Sequence, residues 1–154
     1  MNVVIGGLPE WGFLMELCSV LLSWIFTLSD YKRTDDTCPD MQTVPHHWLE
    51  ERACNGRSCK VLGWYPGSGD VVYLDDRLDL ENNIFHTSVA LHELVHWLQG
   101  KKGAVLENCE QTIEAEREAY NIQSKVLVEY GTYYPVGRVL PMLRCTDHPS
   151  EGSS

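Results

Sequence analysis

The stretch between residues 84 and 130 constrains this chain most. From 84 to 99, Leu91, Leu94, Val95 and Leu98 recur at helical spacing, and Gly100 stands where such a helix stops. From 110 to 130 a second period runs through Ile113, Ala115, Ala119, Tyr120, Ile122, Val126 and Leu127, and Gly131 closes it. Two long amphipathic helices joined by a loop at 101–108 must bury their apolar faces against each other and against a further layer. Ala115 and Ala119 are small enough to let the second helix come close to the first. A polar group on either buried arc then needs a partner.

The rest of the chain supplies the further layer. Leu14, Leu17, Leu21, Leu22, Ile25 and Leu28 mark a helix over 13–28. The polar stretch 29–40 reads as a loop, 41–45 as a short strand ending at Pro45, and 46–53 as a helical turn. Lys60 to Tyr65 and Val71 to Leu74 are strand-like and flank Pro66-Gly67-Ser68-Gly69-Asp70, the pattern of a β-hairpin. Residues 132–154 carry three prolines and a Ser/Gly end, which predicts a surface coil that frays. The 154 residues make one domain, with its core at about 13–145 and a flexible tail at 146–154. The predicted class is α+β: an N-terminal helix, a small antiparallel sheet, and two packed helices.

Chemistry concentrates in His92-Glu93-Leu94-Val95-His96. In a helix, positions i and i+4 lie one turn apart on one face, so both imidazoles can reach one ion. Glu93 projects about 100° further round, where its carboxylate reaches a metal-bound water without being a ligand. Zinc lowers the pKa of that water and the Glu takes its proton. The plainer alternative is an amphipathic helix with two hydrogen-bonded histidines.

A zinc site needs a third protein ligand and an open position. A downstream H-E-x-x-H-x-x-G-x-x-H pattern fails, because Gln99 stands at the Gly position and Lys102 at the last His position. The second helix offers Glu114, Glu116 and Glu118. At 100° per residue, Glu114, Glu118, Asn121, Lys125 and Glu129 share a polar arc, whereas Glu116 lies mid-way in the apolar arc with Gln123 beside it. An inward carboxylate is paired or bound to metal, so Glu116 is the expected third ligand. The alternatives are a buried ion pair of Glu116 with Arg138 or Arg144, or a rotated helix that presents Glu114 or Glu118. Tyr120 and Gln123 stand close enough to support the ligands, and Tyr120 fits the core equally well. Adjacent His46 and His47 are a poor chelate and read as surface; His86 falls on a different helix face from His92. His148, Tyr133, Tyr134 and Arg138 lie in the C-terminal stretch, from which His148 could fold over the cleft and steady an oxyanion.

A net charge of −10 argues against nucleic acid and against an anionic membrane surface, since both recruit basic patches. No apolar run reaches the length of a membrane span, the nearest being broken by Glu16, Ser19 and Ser23. Six cysteines suit an oxidising compartment, with Cys54–Cys59 and Cys109–Cys145 as the plausible pairs and Cys18 a buried free thiol. No basic n-region of a signal peptide is visible, the first lysine being Lys32. The balance favours an extracytoplasmic or secreted protein, with a cytoplasmic one as the alternative.

His92 to His96 followed by Glu116-Arg117-Glu118-Ala119-Tyr120 resembles the gluzincin type of zinc metallopeptidase. A group of small bacterial zincin-like proteins is more similar still. It has a Cys-rich turn, a G-x-Y hairpin ending in Y-L-D, then H-E-L-V-H-x-L-Q, a Cys, and an E-R-E-A-Y-x-x-Q helix. The matching elements here are Cys54 to Cys59, Gly63-Trp64-Tyr65, Tyr73-Leu74-Asp75, His92 to Gln99, Cys109, and Glu116 to Gln123. The resemblance covers about 54–123. It implies a zincin-like fold, zinc held by His92, His96 and Glu116, and hydrolysis of a peptide or protein substrate with Glu93 as base. The strand at Val71 to Leu74 is then the expected edge for an extended peptide. Two alternatives stay open: a non-catalytic, zinc-stabilised binding module on the same fold, and a secreted interaction protein in which the His pair is incidental.

Overall fold

The computed structural model describes residues 10–33, 37–104, 106–138, 140–142 and 145. Along them run α1 (Glu10–Leu28), β1 (Asp40–Val44), α2 (His46–Ala53), β2 (Gly63–Trp64), β3 (Val71–Asp75), α3 (Ile84–Lys101), α4 (Cys109–Glu129) and a short 3-10 turn (Leu140–Met142). This is the expected α+β class. The two long helices begin on asparagine caps. Asn83 accepts from the His86 amide at 3.1 Å and Asn108 from the Gln111 amide at 2.9 Å, each satisfying an orphan donor of the first turn. Helix α4 stops at Gly131, whose φ of +68° is the left-handed conformation that glycine adopts freely. Gly100 does not end α3. It stays helical, and its role is close approach: a Cβ there would stand 3.0 Å from the Tyr65 hydroxyl.

The core forms where α1, α3 and α4 meet the sheet. Leu17, Leu21 and Ile25 of α1 pack with Leu91, Leu94 and Val95 of α3, Ile122 and Val126 of α4, and Val72 and Leu74 of β3. Each fully buried aliphatic side chain contributes roughly 2–3 kcal/mol. By length and composition alone α1 is long and apolar enough to cross a membrane, a test that the core helix of a globular protein also passes. In this fold its leucine stripe lies in the core.

The sheet departs from expectation. Its order is β1-β3-β2, and it is mixed, not antiparallel. β1 runs parallel to β3 with Asp40 opposite Val71 and Val44 opposite Asp75, an arrangement that the intervening α2 and β2 make possible. The expected hairpin survives as Gly63 opposite Leu74 and Trp64 opposite Tyr73. Its first strand is only two residues long, with one further backbone bond from the Asp75 amide to the Leu62 carbonyl at 2.9 Å, and the Tyr65 hydroxyl beyond it donates to the Gly69 carbonyl at 2.9 Å. β3 is therefore the central strand, and the edges are β1 and β2, not Val71 to Leu74.

Three disulfides close the fold: Cys18–Cys38, Cys54–Cys59 and Cys109–Cys145. Cys18 is buried, as expected, but it is not a free thiol: it ties α1 to the chain entering β1. Three such bonds are the mark of an oxidising environment.

His46 is not a surface residue at a strand end either. It opens α2, and its ring nitrogens lie 2.8 Å from Asp75 Oδ2 and 2.9 Å from the Cys59 carbonyl. His47 is exposed. Asp75 is fully buried and also accepts from the Arg77 amide, Nε and Nη2 at 2.9, 2.9 and 2.7 Å. Burial alone would raise its pKa. The hydrogen bonds from Arg77 and His46 and the guanidinium charge outweigh burial and hold it at about 2. A depressed carboxyl contributes stability that is complete above its unfolded pKa and is lost as pH falls through the folded value. Asp75→Asn is thus expected to cost about 2–3 kcal/mol at pH 7. The gap between wild type and variant should close between pH 4 and 2, as read by urea unfolding at a series of pH values. A gap independent of pH would show that the carboxylate charge contributes nothing.

Candidate metal centre

Helix α3 is buried almost all round: Leu91, Leu94 and Val95 face the core, and His92 and Glu93 are themselves only 7% and 8% exposed on the cleft side. One turn apart, the Nε2 atoms of His92 and His96 lie 3.1 Å from each other. Glu116 reaches them from α4, with Oε1 2.6 Å from His96 Nε2 and Oε2 3.4 Å from His92 Nε2. The close approach of the helices allows this, since Ala115 and Ala119 are buried between them. The structure thus brings His92, His96 and Glu116 together, with donor atoms all within 4.8 Å of one another, a group that could hold a metal ion.

The two alternative ligand candidates of α4, Glu114 and Glu118, are engaged elsewhere. Glu114 pairs with Arg117 on the surface. Glu118, expected on the solvated face, accepts from Gln99 Nε2 at 3.0 Å and from the Tyr31 hydroxyl. Arg138 is exposed; Arg144 and His148 lie outside the described residues.

The proton positions follow from the neighbours. Gln99 Nε2 points at two acceptors, the Ala115 carbonyl at 2.9 Å and Glu118, so its amide oxygen is the atom 2.8 Å from His96 Nδ1. Gln123 Nε2 donates to Ser88 Oγ at 3.0 Å, because the Ser88 hydroxyl is already spent on the Phe85 carbonyl. Its oxygen is then the atom 3.0 Å from His92 Nδ1. Both histidines therefore carry a proton on Nδ1, and both Nε2 atoms face the Glu116 carboxylate. Without an ion, a proton on His96 Nε2 can bridge to Glu116; once that proton leaves, two imidazole lone pairs and an anion converge on one point, a donor set that fits a metal. The 3.1 and 3.4 Å separations are near the edge of about 3.3 Å expected for tetrahedral ligands at zinc distances, whereas the 2.6 Å approach of His96 Nε2 to Glu116 Oε1 is a hydrogen-bond distance that an ion would have to open.

The electrostatics agree. Burial pushes His96 toward its neutral form. The Glu116 hydrogen bond, the Glu93 and Glu116 charges and the Gln99 bond outweigh burial and hold its pKa at about 9. The pocket draws positive charge to Nε2. Burial would likewise raise Glu116, but the two imidazoles hold it well below the ordinary carboxylate range. Tyr120 packs its ring, tilted, 4.4 Å from that of His92, and burial with the Glu116 and Glu93 charges pushes its hydroxyl up to about 12.

Glu93 sits beside the ligands without joining them. Its side chain lies over β2, where a Cβ on Gly63 would stand 2.8 Å from Glu93 Cγ. No described residue hydrogen-bonds its carboxylate, which leaves both oxygens to the cleft. That cleft holds about 980 Å³ between residues 60–68 on one side and Phe85, Tyr134, Pro135 and Val136 on the other. Tyr134 packs its ring 4.7 Å from Phe85, and Gly137 lies so close on Tyr120 that a Cβ would meet the ring at 2.9 Å. Tyr133 is 83% exposed and takes no part. His86 accepts the Asp79 amide at 2.8 Å, away from the ligand face.

Sequence reasoning missed Gln99, Ser88, Glu118, Tyr31 and Gly63. The signal for Gln99 was present: it lies one turn after His96 on the same face, an inward polar residue of the kind that singled out Glu116. Gly63 carried no such signal, because the need for a bare Cα there arises only from the fold. Compared with models of protein families, with curated proteins and with solved structures, the chain matches none of them.

Proposed function

We propose that this chain is a zinc-dependent peptidase, secreted or otherwise extracytoplasmic. One observation carries the reading: two histidines, each with Nδ1 on an amide oxygen, and a carboxylate converge on one point, with Glu93 beside them and hydrogen-bonded by no described residue. His92, His96 and Glu116 would hold the ion, and two imidazoles with one carboxylate favour zinc. Bound there, zinc lowers the pKa of a coordinated water and polarises a carbonyl. Glu93 accepts the proton of the attacking water and passes it to the leaving amine. Tyr120, kept protonated, can donate to the carbonyl oxygen as it gains charge. An extended peptide pairs along the free edge of β2, which brings its backbone past Glu93, and Phe85, Val89 and Tyr134 offer apolar surface to its side chains. Nucleic acid is not a partner on charge grounds.

A second reading is favoured by the segment 134–137 lying on Phe85 and Tyr120: a zinc-stabilised binding module whose cleft is narrowed by its own chain. Incubation with a mixed peptide library, read by mass spectrometry, separates the two. Cleavage that stops with a chelator and returns on adding zinc is expected. Stoichiometric zinc without cleavage of any peptide would overturn the peptidase in favour of the module.

A further inference from the structure

We propose that Gln99, Glu118 and Tyr31 form a positioning relay that sets how tightly the centre holds its metal, an inference that rests on the metal reading above. The relay starts at His96, whose Nδ1 proton goes to the Gln99 oxygen at 2.8 Å. Gln99 can present its oxygen only while its nitrogen is held the other way, and Glu118 Oε1 at 3.0 Å and the Ala115 carbonyl at 2.9 Å hold it. The same Glu118 oxygen accepts from Tyr31, so its carboxylate is itself fixed. Tyr31 is 9% exposed and capped by Lys102, whose Nζ lies 4.5 Å from its ring. It follows α1 on the chain that Cys38 ties back to Cys18. One ligand's orientation is thereby anchored outside the two helices that carry the ligands.

The chemical character of the relay is specific. Each histidine hydrogen-bonds a neutral amide, not a carboxylate: His92 is held by Gln123 and His96 by Gln99. A carboxylate at that position makes the imidazole a stronger donor and offsets the charge of the ion. Among the described residues Glu116 is the one anion in the converging group, and the carboxylate of Glu118 is set back behind Gln99. The amides fix geometry without adding a further negative charge to that of Glu116 and Glu93.

The test is zinc affinity by competition with a chromophoric chelator, with the visible spectrum of the cobalt-substituted protein as a second readout. Gln99→Leu is expected to weaken zinc roughly 10–100-fold, the usual effect of losing a ligand's hydrogen-bond partner. Glu118→Ala, a change at the exposed end, should weaken it by a smaller factor and alter the cobalt spectrum. Glu118→Gln, whose amide oxygen still accepts from Gln99 and Tyr31, should restore both. Native circular dichroism is required of each variant, and Glu118→Ala keeps the test open if Gln99→Leu does not fold. Unchanged affinity and spectrum in a folded Glu118→Ala would overturn the relay while leaving the metal reading intact. A wild-type chain that takes no zinc would end both.

Discussion

Glu93→Gln is expected to retain about one zinc per chain and to lose peptide hydrolysis by roughly 10²–10⁴-fold, the usual contribution of a positioned general base. The substitution keeps the size of the side chain. The contact with Gly63 survives, and so do the helix packing and the ligand geometry. What changes is that an amide oxygen cannot accept and carry a proton. Loss of the Glu93 charge also removes one of the interactions that draw positive charge to His96, so zinc affinity should fall by a small factor only. Metal analysis, hydrolysis and thermal unfolding on one preparation distinguish this from collapse of the site. Hydrolysis at the wild-type rate in a clean preparation would sink the mechanism. A variant that had lost its zinc would show instead that Glu93 is needed to hold the ion.

Much of the fold was legible because the helices carry their own periodicity and punctuation. The Asn83 and Asn108 caps and Gly131 bound α3 and α4 within a residue or two of where the sequence places them. The inward position of Glu116 was legible for the same reason: a wheel at 100° per residue is enough to find a carboxylate on an apolar arc. What was not legible is long-range. No turn signal announces a parallel pair, so the pairing of β1 with β3 and the resulting change of edge strand could not be read. The Cys18–Cys38 bond is of the same kind, because an apolar neighbourhood suits a free thiol as well as a disulfide. His46 looked like a surface residue until β3 brought the buried Asp75 beside it. Glu118 shows the limit of the wheel itself: its Cα does lie on the polar arc, but a long side chain reaches back to Gln99 and Tyr31.

Glu116→Ala is expected to abolish stoichiometric zinc while leaving the chain folded. Two imidazoles alone make a weak site, and the carboxylate is the only anion among the three converging groups. Removing it also takes away the partner of the two histidines in the apo protein, so some loss of apo stability is expected at neutral pH. The diagnostic difference is the response to added metal. Wild type gains stability on adding zinc, about 2.7 kcal/mol once free zinc reaches a hundred times its dissociation constant, and the variant gains none. Glu114→Ala, two residues away on the surface beside Arg117, should behave as wild type and controls for the loss of one acidic residue. Elemental analysis and zinc-dependent melting check the three proteins side by side. Full zinc in Glu116→Ala would move the third ligand to another residue. No zinc in wild type, even after it is offered, would reduce His92, Glu93 and His96 to buried polar residues of an amphipathic helix, and the peptidase reading would fall with them.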